Sequence, residues 1–120
     1  MGRAAAIISD WDFPIAGREK VAEPTFREFL QYWDIHATGG PDAGVTVWFH
    51  SDGASAIVIA RGDSDALFAA YQSEENERIL NKAQFVFREL ELHFYWGGSS
   101  APVEKSIDLF KEAGRELHLM

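Results

Sequence analysis

Between Gln84 and Trp96 the chain reads Gln-Phe-Val-Phe-Arg-Glu-Leu-Glu-Leu-His-Phe-Tyr-Trp, an almost unbroken alternation. Successive side chains on a strand point to opposite faces. Val86, Leu90, Leu92, Phe94 and Trp96 therefore share one face, and Phe85, Phe87, Glu89, Glu91, His93 and Tyr95 the other. The first is an ordinary core face. The second mixes aromatic rings with carboxylates and an imidazole, groups that a dry interior holds only at a cost. Such a strand calls for a sheet with a packed back and an enclosed, semi-polar front.

The rest of the chain supplies partners for it. Ala4–Phe13 is a first strand, with Ile7, Trp11 and Phe13 on one parity and Ile8, Asp10 and Asp12 on the other. Thr25-Phe26-Arg27-Glu28 has the form of a capping box, a hydroxyl cap followed three residues later by a carboxylate. Phe26, Phe29, Leu30, Trp33 and Ala37 then follow at the spacing of one helical face, up to the break at Gly39-Gly40-Pro41. Val45–His50 alternates again, and Asp52-Gly53 is a hairpin turn leading into the returning strand Ser55–Arg61. That strand is apolar on both faces, as a central strand should be. Asp63 and Ser64 are candidate N-caps for a second helix carrying Leu67, Phe68 and Tyr71, and Ser73 predicts that it breaks and restarts before Ile79. The long strand ends at Gly97-Gly98-Ser99-Ser100. A last helix over about 102–119 carries Val103, Ile107, Phe110, Gly114 and Leu117 on one stripe.

The order is β-α-β-β-α-β with one added helix, the ferredoxin-like arrangement in an α+β domain. At 120 residues the chain is read as one domain, with a core over about 4–96. This fold puts both helices on one side of a four-stranded antiparallel sheet and leaves the other side bare. A bare face carrying Trp48, Phe85, Phe87 and Tyr95 is an exposed apolar patch, and something must cover it. The last helix does so, or a second copy packs sheet to sheet.

On element order, face chemistry and the stretch Ala56-Ile-Val-Ile-Ala-Arg-Gly-Asp-Ser-Asp-Ala-Leu-Phe68, residues 4–96 resemble the dimeric α/β-barrel superfamily. The resemblance implies ferredoxin-like protomers paired through their sheets around a small cavity, hence a homodimer. Its members include cofactor-independent monooxygenases, isomerases and haem-degrading enzymes, so it implies a fold and only a range of functions.

Acids outnumber bases 19 to 11, for a net charge of −8, which opposes binding to nucleic acid or an anionic membrane surface. No cysteine is present, so thiolate chemistry is excluded and a cytoplasmic setting is expected. No segment approaches the roughly 20 apolar residues that span a bilayer. His36, His50, His93 and His118 have no metal-ligand spacing, and no histidine lies between Ser64 and Asn81, where haem-degrading relatives carry their ligand. No metal or cofactor is expected.

The candidate ligand-binding residues are Trp48, His50, Phe85, Phe87, Tyr95 and Trp11, lining a cavity for an apolar or amphipathic molecule such as an aromatic metabolite or a fatty-acid-like chain. His93 and Glu91 stand roughly 7 Å apart along one face of a strand and are the candidate catalytic pair. Three functions compete. The first is a small-molecule-binding barrel. The second is a cofactor-independent monooxygenase or isomerase with His93 or Glu91 as base, and the third is a ligand-free dimerisation module. Whether the chain is an enzyme is left open.

Overall fold

The computed structural model describes residues 3–53, 55–97 and 100–119. The Gly98–Ser99 part of the expected turn lies outside them. Four strands, β1 (Ala4–Trp11), β2 (Gly44–Phe49), β3 (Ala56–Asp63) and β4 (Leu90–Gly97), form one sheet in the order β2-β3-β1-β4, every pair antiparallel. Helices α1 (Glu19–His36), α2 (Ser64–Tyr71) and α3 (Glu74–Gln84) complete the ferredoxin-like order, and α4 (Ser100–Glu116) follows it.

The helices cover one face. Ala5, Ile7, Ser9 and Trp11 on β1, with Val58 and Ala60 on β3, are buried beneath Phe29, Trp33, Leu67 and Ile79 of the helices. Leu90, Leu92 and Phe94 of β4 pack against the same core. The parity of β1 is therefore settled: Ile7 and Trp11 point to the helices, Ile8 and Asp10 to the bare side. Trp11 lies at the centre of an edge-to-face aromatic cluster, its centroid 4.9, 4.7 and 4.9 Å from Phe26, Phe29 and Phe87.

Two local expectations give way. The helix begins at Glu19 rather than at a Thr25 cap; Arg18 is its N-cap without a side-chain bond, Pro24 lies inside it, and Thr25 is buried. Glu19, Lys20, Ala22 and Glu23 are good helix formers, and they carry the helix through Pro24 despite the backbone bond it forgoes and its crowding of the preceding turn. The long strand also starts later than expected, at Leu90. Residues up to Gln84 belong to α3, Phe85 is its C-cap, and the chain bends at Arg88. Backbone bonds from Ile15 N–H to the Val86 carbonyl (2.7 Å) and from Arg88 N–H to the Phe13 carbonyl (2.9 Å) lead it alongside the end of β1. Pro14 sits opposite Phe87 between those two bonds as an isolated bridge, a place where the missing proline N–H costs the pairing nothing. The register with β1 does not slip, since Pro14 opposite Phe87 continues Trp11 opposite Leu90, but beyond the bend the strand no longer alternates and Val86 and Phe87 are both buried. Phe87 thus joins the core instead of the front.

The two helix starts at Asp63 and Ser73 are as expected. The Asp63 carboxylate accepts from the Asp65 and Ala66 N–H groups, and the Ser73 hydroxyl from that of Asn76. The β3–α2 junction is tight. A Cβ on Gly62 would lie 2.5 Å from the Thr38 carbonyl oxygen and 2.9 Å from its nitrogen. Those are backbone atoms that cannot swing aside. Gly62→Ala is expected to lower stability by about 1–3 kcal/mol, the usual cost of overpacking, in chemical denaturation.

Glu28 on α1 receives Lys82 Nζ at 2.8 Å and Arg78 Nη2 at 3.4 Å, tying α1 to α3. The Lys82 hydrogen bond, helped by Arg78, holds its carboxyl below the usual 4.5. A depressed carboxylate contributes stability that is present above its unfolded pKa and lost as pH falls through the folded one. Wild type and Glu28→Gln are therefore expected to differ in melting temperature at pH 7 and to converge below pH 4.5. The difference at pH 7 stays small, since the pair is partly exposed.

Candidate functional site

On the side of the sheet away from the helices, strand register lines residues up in rows. Trp48 pairs with Ile57, Ile57 with Asp10, and Asp10 with Glu91, so one row crosses β2, β3, β1 and β4. The next row is Thr46, Ile59, Ile8 and His93, and the third ends in Ala6 and Tyr95. Neighbouring strands are about 4.8 Å apart, so each row spans roughly 14 Å. The face is apolar through the middle of its first two rows, with Ile57, Ile59 and Ile8, carries Arg61 on β3 in the third, and is polar or aromatic at its edges.

The first row floors an open recess of about 500 Å³, walled by Phe49, His50, Asp12 and Glu89. Trp48 is 61% exposed, and its indole N–H donates to Thr46 Oγ1 at 3.1 Å. That bond holds the ring along β2. His50 lies just beyond the strand, where its Nδ1 accepts the Asp52 N–H at 3.0 Å within the hairpin turn. Gly53, at φ +77°, takes the left-handed conformation that this turn requires.

Beside the recess, His93 Nε2 is 3.2 Å from Glu91 Oε2, closer than the strand spacing alone implies. Asp10 completes the group: Asp10, Glu91 and His93 each bring one ligand-type atom within 4.8 Å of the others, all three exposed. Two carboxylates and an imidazole so placed can hold a proton between them or accept a small cation. The Tyr95 ring lies 6.2 Å from that of His93 on the same face.

The structure therefore divides the residues expected to act together. Trp48, His50 and Glu91 meet at the recess, and His93 and Tyr95 adjoin it on the same face. Trp11 borders the recess but is 3% exposed, with its indole in the helix-side core, where Nε1 donates to Ser9 Oγ at 2.9 Å. Phe87 is buried in that same core. Phe85 is exposed at the end of α3, its carbonyl accepting from the Arg18 guanidinium. The expected front face loses both phenylalanines. It gains Asp10, whose parity opposite Trp11 was readable, whereas its position facing Glu91 depends on the pairing of strands eighty residues apart.

No protein-family model matches the sequence, and no curated protein matches it either. Solved structures do match in shape. SnoaB, a cofactor-independent oxygenase from Streptomyces nogalater, superposes with a TM-score of 0.60 at 14% identity over 84% of this chain and 99% of its own. Rv0793 from Mycobacterium tuberculosis gives 0.61 at 12% identity over 82% and 98%. An antibiotic biosynthesis monooxygenase gives 0.58 at 13% over 79% and 99%. At such identities the likeness establishes the fold alone, the ferredoxin-like α+β arrangement that the element order led us to expect. Among the described residues no helix is long and apolar enough to cross a membrane.

Proposed function

We propose that this chain is a small-molecule-binding dimeric α/β-barrel protein, in which two copies pair through the bare sheet faces and close the recess around an apolar or amphipathic ligand. The row Trp48–Ile57–Asp10–Glu91 carries the reading. It joins an aromatic wall and an aliphatic floor to a few polar groups at one end, in a recess of ligand size. Trp48, His50 and Tyr95 are the contacts that orient the ligand. Asp10, Asp12, Glu89 and Glu91 all line or border the recess, and among the described residues lining it there is no lysine or arginine. A neutral or cationic aromatic molecule suits that field, whereas a fatty-acid-like chain must keep its carboxylate outside.

The test is to denature the purified protein and identify what it releases by mass spectrometry, alongside thermal shifts across a library of lipids and aromatic compounds. A released or stabilising aromatic compound of neutral or positive charge is expected. An empty extract with no shift in the library would overturn the reading in favour of a ligand-free dimerisation module.

A second reading has its own observation. The 3.2 Å contact between His93 and Glu91 gives the imidazole a carboxylate partner, the arrangement that makes a histidine a better general base. A cofactor-independent monooxygenase or isomerase would use that base to take a proton from an activated carbon, and the fold shared with an oxygenase is compatible with it. If His93→Ala turned over every accepted substrate at the wild-type rate, His93 would have no such role.

A further inference from the structure

We propose that α4 is a self-pairing element, packing antiparallel against α4 of a second copy. The helix makes no substantial contact with the sheet or the helix layer. Its neighbours are Trp96 and Gly97, which with Val103, Ile107 and Phe110 line a shallow recess of about 250 Å³. The molecule is drawn out to 54 Å along one axis, with a radius of gyration of 17.0 Å; a compact chain of this length has about 14 Å. Phe110 and Leu117 are 73% and 67% exposed.

A helix of 17 residues gains little stability in water from propensity alone and most of it from packing an amphipathic face, so this one calls for a surface to pack on. Its own stripe describes that surface. Val103, Ile107, Phe110, Gly114 and Leu117 follow one another at intervals of four, three, four and three, the seam of a two-stranded coiled coil. Val103 remains beside Trp96. An antiparallel crossing beside Glu112 then sets Phe110 of each copy over Gly114 of the partner subunit, the largest side chain against the smallest. Ile107 meets Leu117 of the partner subunit in the flanking layers. The stripe is its own complement, as a two-fold contact requires.

A membrane surface is the poorer occupant, because Glu104, Asp108, Glu112 and Glu116 outnumber Lys105, Lys111 and Arg115 on the helix. The solved neighbours match over nearly their whole length with 84% or less of this chain, and the remainder is about the length of α4. One pair of such helices covers less than the roughly 800 Å² per partner of a stable interface, so it acts together with a second contact such as the sheet face.

Sedimentation equilibrium tests this on the wild-type chain, Phe110→Ala, Gly114→Phe, the double variant and a chain ending at residue 99. Both substitutions raise helix propensity, so circular dichroism will separate loss of pairing from loss of helix. Each single change, one leaving a void and the other a clash, is expected to weaken association at least tenfold. The double variant, with large and small exchanged, is expected to return within about threefold of wild type. A double variant no tighter than the single ones would overturn the proposal, as would a shortened chain that assembles like the full one. A shortened chain that still pairs, but less tightly, supports α4 pairing and keeps the sheet contact. A monomeric shortened chain supports α4 pairing and removes the sheet contact on which the proposed cavity rests.

Discussion

Trp11→Ala is expected to lower the free energy of unfolding by about 3–5 kcal/mol, the range for removing a large aromatic from a packed core. The ring touches Phe26, Phe29 and Phe87 edge-on, contacts that add to its burial. Alanine abandons all three and leaves the buried Ser9 hydroxyl without the indole donor that now meets it at 2.9 Å. Total stabilities of single domains are about 5–15 kcal/mol, so a loss of this size takes a large share. In urea the midpoint should fall with the slope unchanged, the mark of lost stability without a change in what unfolds. Trp11→Phe should be milder, since it keeps an aromatic body and loses the N–H and only part of the ring volume. A Trp11→Ala protein as stable as wild type would mean that the indole is not in the core.

Trp48→Ala should do the reverse. Its ring is largely exposed in a single copy, so the folding stability of the protomer should move by no more than about 0.5 kcal/mol. Association is where the effect belongs. Tryptophans buried at an interface commonly cost about 2 kcal/mol or more on truncation, so the dimer dissociation constant should rise roughly thirtyfold. Any ligand that stabilises the wild type should lose its thermal shift in parallel. Two tryptophans in the same corner of the sheet are thereby given opposite signatures, one in unfolding and the other in binding.

That contrast also shows what can be read from the chain. The alternation of Leu90 to Tyr95, the helical stripe from Phe26 to Trp33, the turn at Asp52-Gly53 and the caps at Asp63 and Ser73 are local features, and the fold realises each of them. Element order then leads to the ferredoxin-like sheet. The candidate site was legible only where it rests on β2 and on β4 beyond Leu90. Phe85 was misassigned because α3 runs on to Gln84 and makes it the C-cap, and Phe87 because the chain bends at Arg88 before the ladder begins, beside a Pro14 that meets Phe87 only after folding. Asp10 was overlooked as a partner for Glu91 for the same reason, since register between β1 and β4 is a long-range property. The apolar stripe of α4 was plain, but its failure to fold back on the sheet was not, because amphipathicity states that a helix needs a partner and not which one.

The central claim is that the bare sheet face is covered by a second copy. A chain without cysteine allows a direct measurement of it. Ile57→Cys places a single thiol in the middle of that face, and Ile35→Cys places one on the exposed side of α1 as a reference. Thiol labelling rates are then compared from micromolar protein down to nanomolar. Paired sheets predict that the thiol at position 57 reacts at least tenfold more slowly than the one at position 35, and that the protection disappears on dilution. Equal rates at every concentration would contradict the paired sheets and, with them, the enclosed recess.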